Sequence, residues 1–481
     1  MKIRESLALT FDDVLMVPQY SAISSRGAVS TATRLTPKIE CSIPILSANM
    51  DTVTEASMAV VMARTGGLGI IHRFLSPERQ AQEISRVKRA ESYVVAEPLT
   101  VREGTSLVAA LAKMKEADVS SVLVLDSEER LAGILTGRDL SLAPDDSGTV
   151  DDLMTPLEKL VVGDCEITLK EARALLHQHR VEKLPLVDEQ RKLCGLITAQ
   201  DILKLQRDPD ATKDQRGRLR VGAAIGVRAS DVERAGACLE AGADLLVLDI
   251  AHGHSKLAID MVKRLKSHFP EAEVMAGNVA TPEGVRDLAE AGAESIKVGV
   301  GSGSICTTRI VTGAGFPQLS AVQACAIAAR ECGVTLISDG GIRNSGDITK
   351  AMAAGADAVM LGSLLAGTTE SPGAAVVRDG RRYKVVRGMA SLTANVGRKE
   401  VEQGEVDPSD WERVVPEGVE AVVPYRGPVR DILHLLVGGL RSGLTYSGAA
   451  DLEELREKAE FVRITGAGMA ESRHHDVDKL R

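Results

Sequence analysis

The 481-residue sequence predicts an α/β fold, a (β/α)8 barrel interrupted by an inserted and internally duplicated segment. Two observations predict it. The first is a phrase that recurs as Glu240-Ala-Gly-Ala-Asp-Leu-Leu-Val-Leu-Asp249, Glu290-Ala-Gly-Ala-Glu-Ser-Ile-Lys-Val-Gly299 and Ala354-Gly-Ala-Asp-Ala-Val-Met-Leu-Gly362. The second is a repeat inside residues 93–206, whose halves end in Gly133-Ile-Leu-Thr-Gly-Arg-Asp-Leu140 and Gly195-Leu-Ile-Thr-Ala-Gln-Asp-Ile202.

In the first repeat the glycine suits a left-handed helix cap. The apolar run after it has the length and residue types of a strand buried on both faces. Helical stretches such as Thr281–Glu290 and Asp347–Ala354 precede the strands. Repeated helix–glycine–strand units imply parallel strands with crossover helices, and eight of them close a barrel. The segment from Leu9-Thr-Phe-Asp-Asp-Val-Leu-Met-Val-Pro18 to Gly66-Gly-Leu-Gly-Ile-Ile-His72 reads as the first units of the same barrel. The expected division is therefore a first barrel part over 1–92, the insert over 93–206, and the rest of the barrel over 207–481. The charged stretch Gln206–Arg220 is the return linker.

Each half of the insert contains a helix, a strand ending near an acid (Val122–Asp126, Pro185–Asp188) and a strand–helix turn. Threonine and aspartate at a helix start suit ribose and phosphate, because the first turn offers free N–H groups. Thr136, Asp139, Thr198 and Asp201 are thus candidates for a nucleotide-sensing module. A purely structural duplication is the alternative.

Composition narrows the function. With 44% hydrophobic residues the chain is expected to fold rather than stay disordered. A net charge of −9 and 2% aromatics argue against a nucleic-acid partner. No apolar run is long enough to span a bilayer, and Met1-Lys-Ile-Arg-Glu-Ser6 lacks a signal core, so a cytoplasmic location is expected. Seven cysteines without a Cys-x-x-Cys spacing fit neither a disulfide framework nor a zinc site. Most of these thiols are expected to be small buried hydrophobes.

Cys306 is the exception. It lies in Gly301-Ser-Gly-Ser-Ile-Cys-Thr-Thr-Arg309, directly after the strand expected over Ser295–Val300. In a barrel that is the catalytic end. A thiol beside hydroxyls in a loop rich in N–H groups suits an activated nucleophile. Ser338-Asp-Gly-Gly-Ile-Arg343 and Leu361-Gly-Ser363 place glycines between strand and helix, where backbone N–H groups cradle phosphate. Asp339 is then free to bind ribose hydroxyls.

Over nearly its whole length the chain resembles the IMP dehydrogenase/GMP reductase family. The resemblance rests on Leu9-Thr-Phe-Asp-Asp-Val-Leu15, Ser47-Ala-Asn-Met-Asp51, Asp249-Ile-Ala-His-Gly-His-Ser255, Ala276-Gly-Asn-Val279 and the Cys306 loop. It continues through Ser338-Asp-Gly-Gly341, Gly388-Met389, Val415-Pro-Glu-Gly418 and Gly438-Gly-Leu-Arg-Ser-Gly443. The insert resembles a tandem CBS (Bateman) domain on a TIM barrel. The resemblance implies that Cys306 attacks C2 of the purine to form a thioimidate, with Thr308 and Glu417 handling protons. It implies nucleotide contacts from Ser47, Met50, Asn278, Ser304, Asp339, Gly341, Gly362, Ser363, Gly388 and Met389. Asp249, Gly299 and Gly301 would meet the nicotinamide cofactor. Gly301, Gly303 and Cys306, with Glu471, Ser472 and Arg473 of a neighbouring subunit, match a potassium site; Glu471-Ser-Arg-His-His475 departs from the usual pattern there. ATP or GTP at the CBS pair, with Asp139 and Asp201 on ribose, and a homotetramer or octamer are further implications.

The family's branches share the covalent step and then diverge. The dehydrogenase oxidises IMP with NAD and hydrolyses the thioimidate to XMP, using an Arg-Tyr pair on a flap. The reductase expels ammonia from GMP and uses NADPH to give IMP. Here the flap, Ser391–Trp411, contains no Arg-Tyr and no tyrosine; Arg398 lies early and is followed by Lys399. Phe316-Pro-Gln-Leu-Ser-Ala-Val322 is close to the reductase's pattern, and Val386 stands where the dehydrogenase usually has a phosphate-binding tyrosine. Asp249–Ser255, the tail Ala459–Val477 and the CBS insert look more like the dehydrogenase. The expected function is NADPH-dependent GMP reductase. IMP dehydrogenase is the alternative, and an inactive CBS-based nucleotide sensor the second alternative.

Overall fold

The structure is a computed structural model describing residues 3–473 apart from 92, 93, 96, 118, 142–147, 201, 203–207 and 404–414. Eight strands form the barrel: β1 (Ile45–Ser47), β2 (Leu68–Ile71), β3 (Gly222–Ile225), β4 (Leu245–Leu248), β5 (Val274–Val279), β6 (Ser295–Val298), β7 (Thr335–Asp339) and β8 (Ala358–Leu361). They close in the order β3-β4-β5-β6-β7-β8-β1-β2, and every pairing is parallel. Helices α1 (Ala56–Arg64) and α2 (Pro77–Ala90) follow β1 and β2. Helices α3 (Asp231–Glu240), α4 (Lys256–His268), α5 (Pro282–Glu290), α6 (Gln318–Cys332) and α7 (Ser345–Ala353) follow β3 to β7 in turn.

The recurring glycine does the same work three times. Gly242, Gly292 and Gly355 have φ of +98°, +108° and +110°, where a Cβ is strained. Each glycine N–H reaches back three residues, to Leu239, Ala289 or Met352, and the next N–H reaches back five, to Cys238, Leu288 or Ala351. That pair of bonds is a Schellman cap, which ends the helix and turns the chain into the next strand. Helix starts differ slightly from expectation. Thr281 is the cap of α5, accepting from Gly284 N–H, so the helix begins one residue later. Asn344 caps α7 by accepting from Asp347 N–H, so that helix begins two residues earlier and ends at Ala353. Strand β6 stops at Val298 rather than Val300.

Strands β2, β3 and β4 are buried at every residue, as a barrel wall requires. Leu46, Ile70, Ala224, Val247 and Ile337 fill the interior. A hairpin of Thr33–Thr36 and Ile39–Cys41 adds Leu35, Ile39 and Cys41 to that same cluster. Those residues pack the barrel interior, and the C-terminal strand ends remain for chemistry.

Residues 1–90, 210–212 and 219–481 form one compact unit; residues 91–209 with 213–218 form a second. The linker is not a plain connector. Asp214 Oδ1 accepts from the N–H groups of Arg216 and Arg218, closing a tight turn that belongs to the second unit. The second unit holds two four-stranded sheets, each with a helix, Leu107–Glu116 in one half and Leu169–His179 in the other. The acids at the strand ends are turn-formers. Asp126 accepts from Glu128 and Arg130 N–H, and Asp188 from Gln190 and Lys192 N–H.

The cysteines require a correction. Cys165 and Cys194 are joined as a disulfide within the second unit, against the expectation of none. The partners lie 29 residues apart, and only the folding of the second half brings their Cα atoms to 5.6 Å. Cys41, Cys238 and Cys325 are buried, and burial pushes each thiol up to about 12. Cys332 is exposed, and Cys306 half-buried. No helix among the described residues is long and apolar enough to cross a membrane.

Candidate active site

The loops after β6 and β7 interlock because both lack side chains at the contact. Gly299 has φ +153°, and a Cβ there would run into the Asp339 carbonyl. Gly340, at φ +89°, leaves room for Ser302, whose hydroxyl oxygen would lie 2.5 Å from a Cβ there. The Ser302 hydroxyl donates to the Asp339 carbonyl at 3.0 Å. This close approach brings Cys306 and Asp339 to one cavity of about 500 Å³, within the usual size of a small-molecule site.

At one wall the Cys306 thiol donates to Thr308 Oγ1 at 3.1 Å, and the Thr308 hydroxyl donates to Glu417 Oε2 at 2.8 Å. Two neighbours on one loop, Cys306 and Thr308, thus meet the distant Glu417 in one chain of hydrogen bonds, from a thiol through a hydroxyl to a carboxylate. The main chain holds it together. Thr307 N–H donates to the Glu417 carbonyl at 2.9 Å, and Val419 N–H to the Ile305 carbonyl at 3.0 Å.

Across the cavity Asp339 Oδ2 accepts from Lys297 Nζ at 2.7 Å and from Asn278 Nδ2 at 2.9 Å. Lys297 also donates to Asn278 Oδ1, and Asn278 Nδ2 to the Gly299 carbonyl at 2.8 Å. Sequence reasoning missed Lys297. Its signal was a lysine between Ile296 and Val298 in strand β6, which is buried throughout, where a charge must find a partner. It missed Arg73 as well, whose Nε donates to Asp249 Oδ2 at 2.9 Å. Burial raises the Asp249 carboxyl, but Arg73, Lys297 and hydrogen bonds from Asn49 and Arg73 outweigh it, so its pKa lies below the ordinary aspartate value.

Met50, Gly301, Gly303, Gly388 and Met389 also line the cavity. Ser47, Ser304, Gly341, Gly362 and Ser363 are not among its lining residues. Ser47 is buried and accepts from the Thr54 hydroxyl at 2.8 Å. Ser304 is exposed on the Cys306 loop. Gly362 packs beneath Met50, with 2.9 Å from a Cβ there to the thioether sulfur. Gly341 has φ +79° after β7, and Ser363 starts the short helix Ser363–Ala366. In the second unit Asp139 accepts from Thr136 N–H at 2.8 Å and from its hydroxyl at 2.6 Å, capping the helix Gly137–Ser141. Thr198 ends the strand Leu193–Thr198, and Asp201 lies outside the described residues. Glu471 ends the helix Gly466–Glu471, with Ser472 and Arg473 exposed after it. The flap begins as the helix Leu392–Gln403. Its remaining residues 404–414 and the side chain of Arg398 lie outside the described residues. Val386 is fully buried in the strand Arg381–Arg387.

The IMP dehydrogenase / GMP reductase domain matches residues 8–475. The inosine-5'-monophosphate dehydrogenase of Nitrosopumilus maritimus is 51% identical over 470 residues, covering 98% of each chain. The GMP reductase of Leishmania major is 49% identical over 481 residues, covering 98% of this chain and 97% of its own. Among solved structures, a cysteine-to-alanine variant of Trypanosoma brucei GMP reductase in complex with guanosine 5'-monophosphate matches with TM-score 0.85 and 48% identity, covering 98% of both chains. With its closed barrel and a purine-nucleotide oxidoreductase's signature loops, the chain belongs to the IMP dehydrogenase/GMP reductase family.

Proposed function

We propose that the protein is a GMP reductase, catalysing NADPH-dependent reductive deamination of GMP to IMP and ammonia. The observation that carries this reading is a sequence one: the segment Ser391–Trp411 has no Arg-Tyr pair and no tyrosine to activate water, yet Cys306, Thr308 and Glu417 stand in hydrogen-bond contact. A hydrolytic base must be placed within hydrogen-bond reach of the attacking water. The reductive branch needs none.

In this reading the Cys306 thiol gives its proton toward Thr308 and Glu417, and the sulfur attacks C2. The C2–S bond forms, the C2–N bond to the amino group breaks, and a proton returns from Glu417 through Thr308 to the departing ammonia. When bound, NADPH supplies the hydride that replaces sulfur at C2. Cys306 leaves as thiolate and takes a proton back. Asp339, held by Lys297 and Asn278, takes the ribose hydroxyls. Met50, Gly388 and Met389 flank the base, while Ser304, Gly341, Gly362 and Ser363 serve the phosphate end. The anionic Asp249 and the side-chain-free Gly299 and Gly301 fit a nicotinamide, which needs a polar partner and an open wall.

The backbone oxygens of Gly301, Gly303 and Cys306 suit potassium in type. The Gly303 carbonyl accepts Cys306 N–H at 3.2 Å and keeps a second lone pair. Glu471, Ser472 and Arg473 of a neighbouring subunit complete that set, in a homotetramer or octamer. ATP or GTP binds at Thr136, Asp139, Thr198 and Asp201 and shifts activity.

A second reading, NAD-dependent IMP dehydrogenase, is favoured by relatives of that name at 51% and 52% identity. Purified protein is expected to oxidise NADPH with GMP and release ammonia. Reduction of NAD with IMP, yielding XMP, would establish the second reading instead. Cys306→Ala is expected to abolish turnover; a protein that merely senses nucleotides has no turnover to lose.

A further inference from the structure

We propose that Asp51, Arg387, Thr393 and Glu420 form a positioning network that sets the Glu417 carboxylate against Thr308. The inference rests on Thr308 and Glu417 handling protons. Asp51 directly follows Met50, and its side chain is only 6% exposed. Arg387 Nε donates to Asp51 Oδ2 at 2.6 Å, and a second guanidinium nitrogen donates to the same oxygen. A third reaches Thr393 Oγ1 at 3.2 Å, and Arg387 N–H donates to Thr52 Oγ1 at 3.3 Å. The Thr393 hydroxyl donates to Glu420 Oε1 at 2.6 Å. Glu420 stands opposite Arg387 in the sheet register, three residues after Glu417.

The network brackets the turn that carries Glu417. Glu417 N–H donates to the Ala390 carbonyl at 2.9 Å, Ser391 N–H closes back on the Gly388 carbonyl at 2.9 Å, and Gly388 N–H donates to the Val419 carbonyl at 3.1 Å. The turn 388–391 is therefore held by Arg387 on one side and Thr393 on the other. If it rotates, the Ala390 carbonyl moves, and Glu417 moves with it relative to Thr308. A hydrogen bond of 2.8 Å tolerates little of that movement. None of the four residues is among those lining the cavity, so they act on the chemistry through neighbours, and the turn 388–391 links them to Glu417. The planar guanidinium fork explains why arginine stands here: it holds Asp51 and Thr393 in fixed directions, which an ammonium does not.

The test is a double-mutant cycle on the full-length enzyme, read as kcat and as KM for the purine nucleotide. Arg387→Lys keeps the charge and loses the fork; Thr393→Val removes one bond, and Thr393→Ser keeps it. Arg387→Lys and Thr393→Val are each expected to lower kcat about tenfold, with KM changed less than about twofold. Thr393→Ser is expected to restore wild-type kcat. In a Glu417→Gln background the same two substitutions should cost less than about twofold further, because the residue they position is already disabled. Full additive losses in that background overturn the inference, as does a KM increase that accounts for the whole effect. If Glu417→Gln is impaired while Arg387→Lys and Thr393→Val turn over normally, the network alone is overturned. If Glu417→Gln is fully active, the proton-handling reading falls and the network with it.

Discussion

The Thr308 hydroxyl accepts from the Cys306 thiol at 3.1 Å while donating to the Glu417 carboxylate at 2.8 Å. A hydroxyl can do both at once, whereas an amide N–H or a carbonyl can do only one. Thr308→Val keeps the shape and removes the link. It is expected to lower kcat by ~10²–10⁴-fold, the usual contribution of a positioned acid–base group, with nucleotide affinity largely kept. Thr308→Ser is expected to retain most activity. Steady-state kinetics of both variants check this.

Lys297 is 5% exposed and holds Asp339, which is 23% exposed. Lys297→Met leaves the Asp339 carboxylate without its counter-charge. The expected loss is roughly 3 kcal/mol, at the low end for breaking a buried pair because Asp339 keeps some solvent. Denaturant unfolding measures it. The double variant Lys297→Met with Asp339→Asn is expected to be more stable than Lys297→Met alone.

Asp249 titrates below its ordinary value in the folded protein. A depressed carboxyl pKa adds stability that is fully present above the unfolded-state pKa and is lost as pH falls through the folded-state pKa. The stability gap between wild type and Asp249→Asn is therefore expected to be constant near neutrality. It should close on acidification through and below the ordinary aspartate range. Unfolding midpoints across an acid pH series test the sign.

The Cys165–Cys194 link closes a loop of 29 residues within the second unit. Reduction, or Cys165→Ser, is expected to destabilise that unit by ~2–4 kcal/mol through the entropy regained by the unfolded chain. The barrel unit should be unaffected. Hydrogen exchange resolved by segment would show protection falling in residues 91–209 only.

Much of this was legible beforehand for a local reason. The Ala-Gly-Ala caps, the buried strands and the glycine loops around Cys306 and Asp339 are each written in a few consecutive residues, because cap geometry and strand burial are short-range requirements. Hence the barrel, the duplicated insert and the candidate nucleophile could be read from the chain. The roles of Asp126 and Asp188 were visible only as acids near strand ends. Their backbone hydrogen bonds needed the folded turn.

The sequence by itself determined the fold class and the family, and it singled out Cys306, Thr308 and Glu417 as candidates. The tertiary structure alone decided which groups meet: Lys297 with Asp339, Arg73 with Asp249, Arg387 with Asp51, and Cys165 with Cys194. The physical reason is that each pair joins separate strands or loops. No periodicity or spacing along one segment records a contact made only when the chain closes on itself.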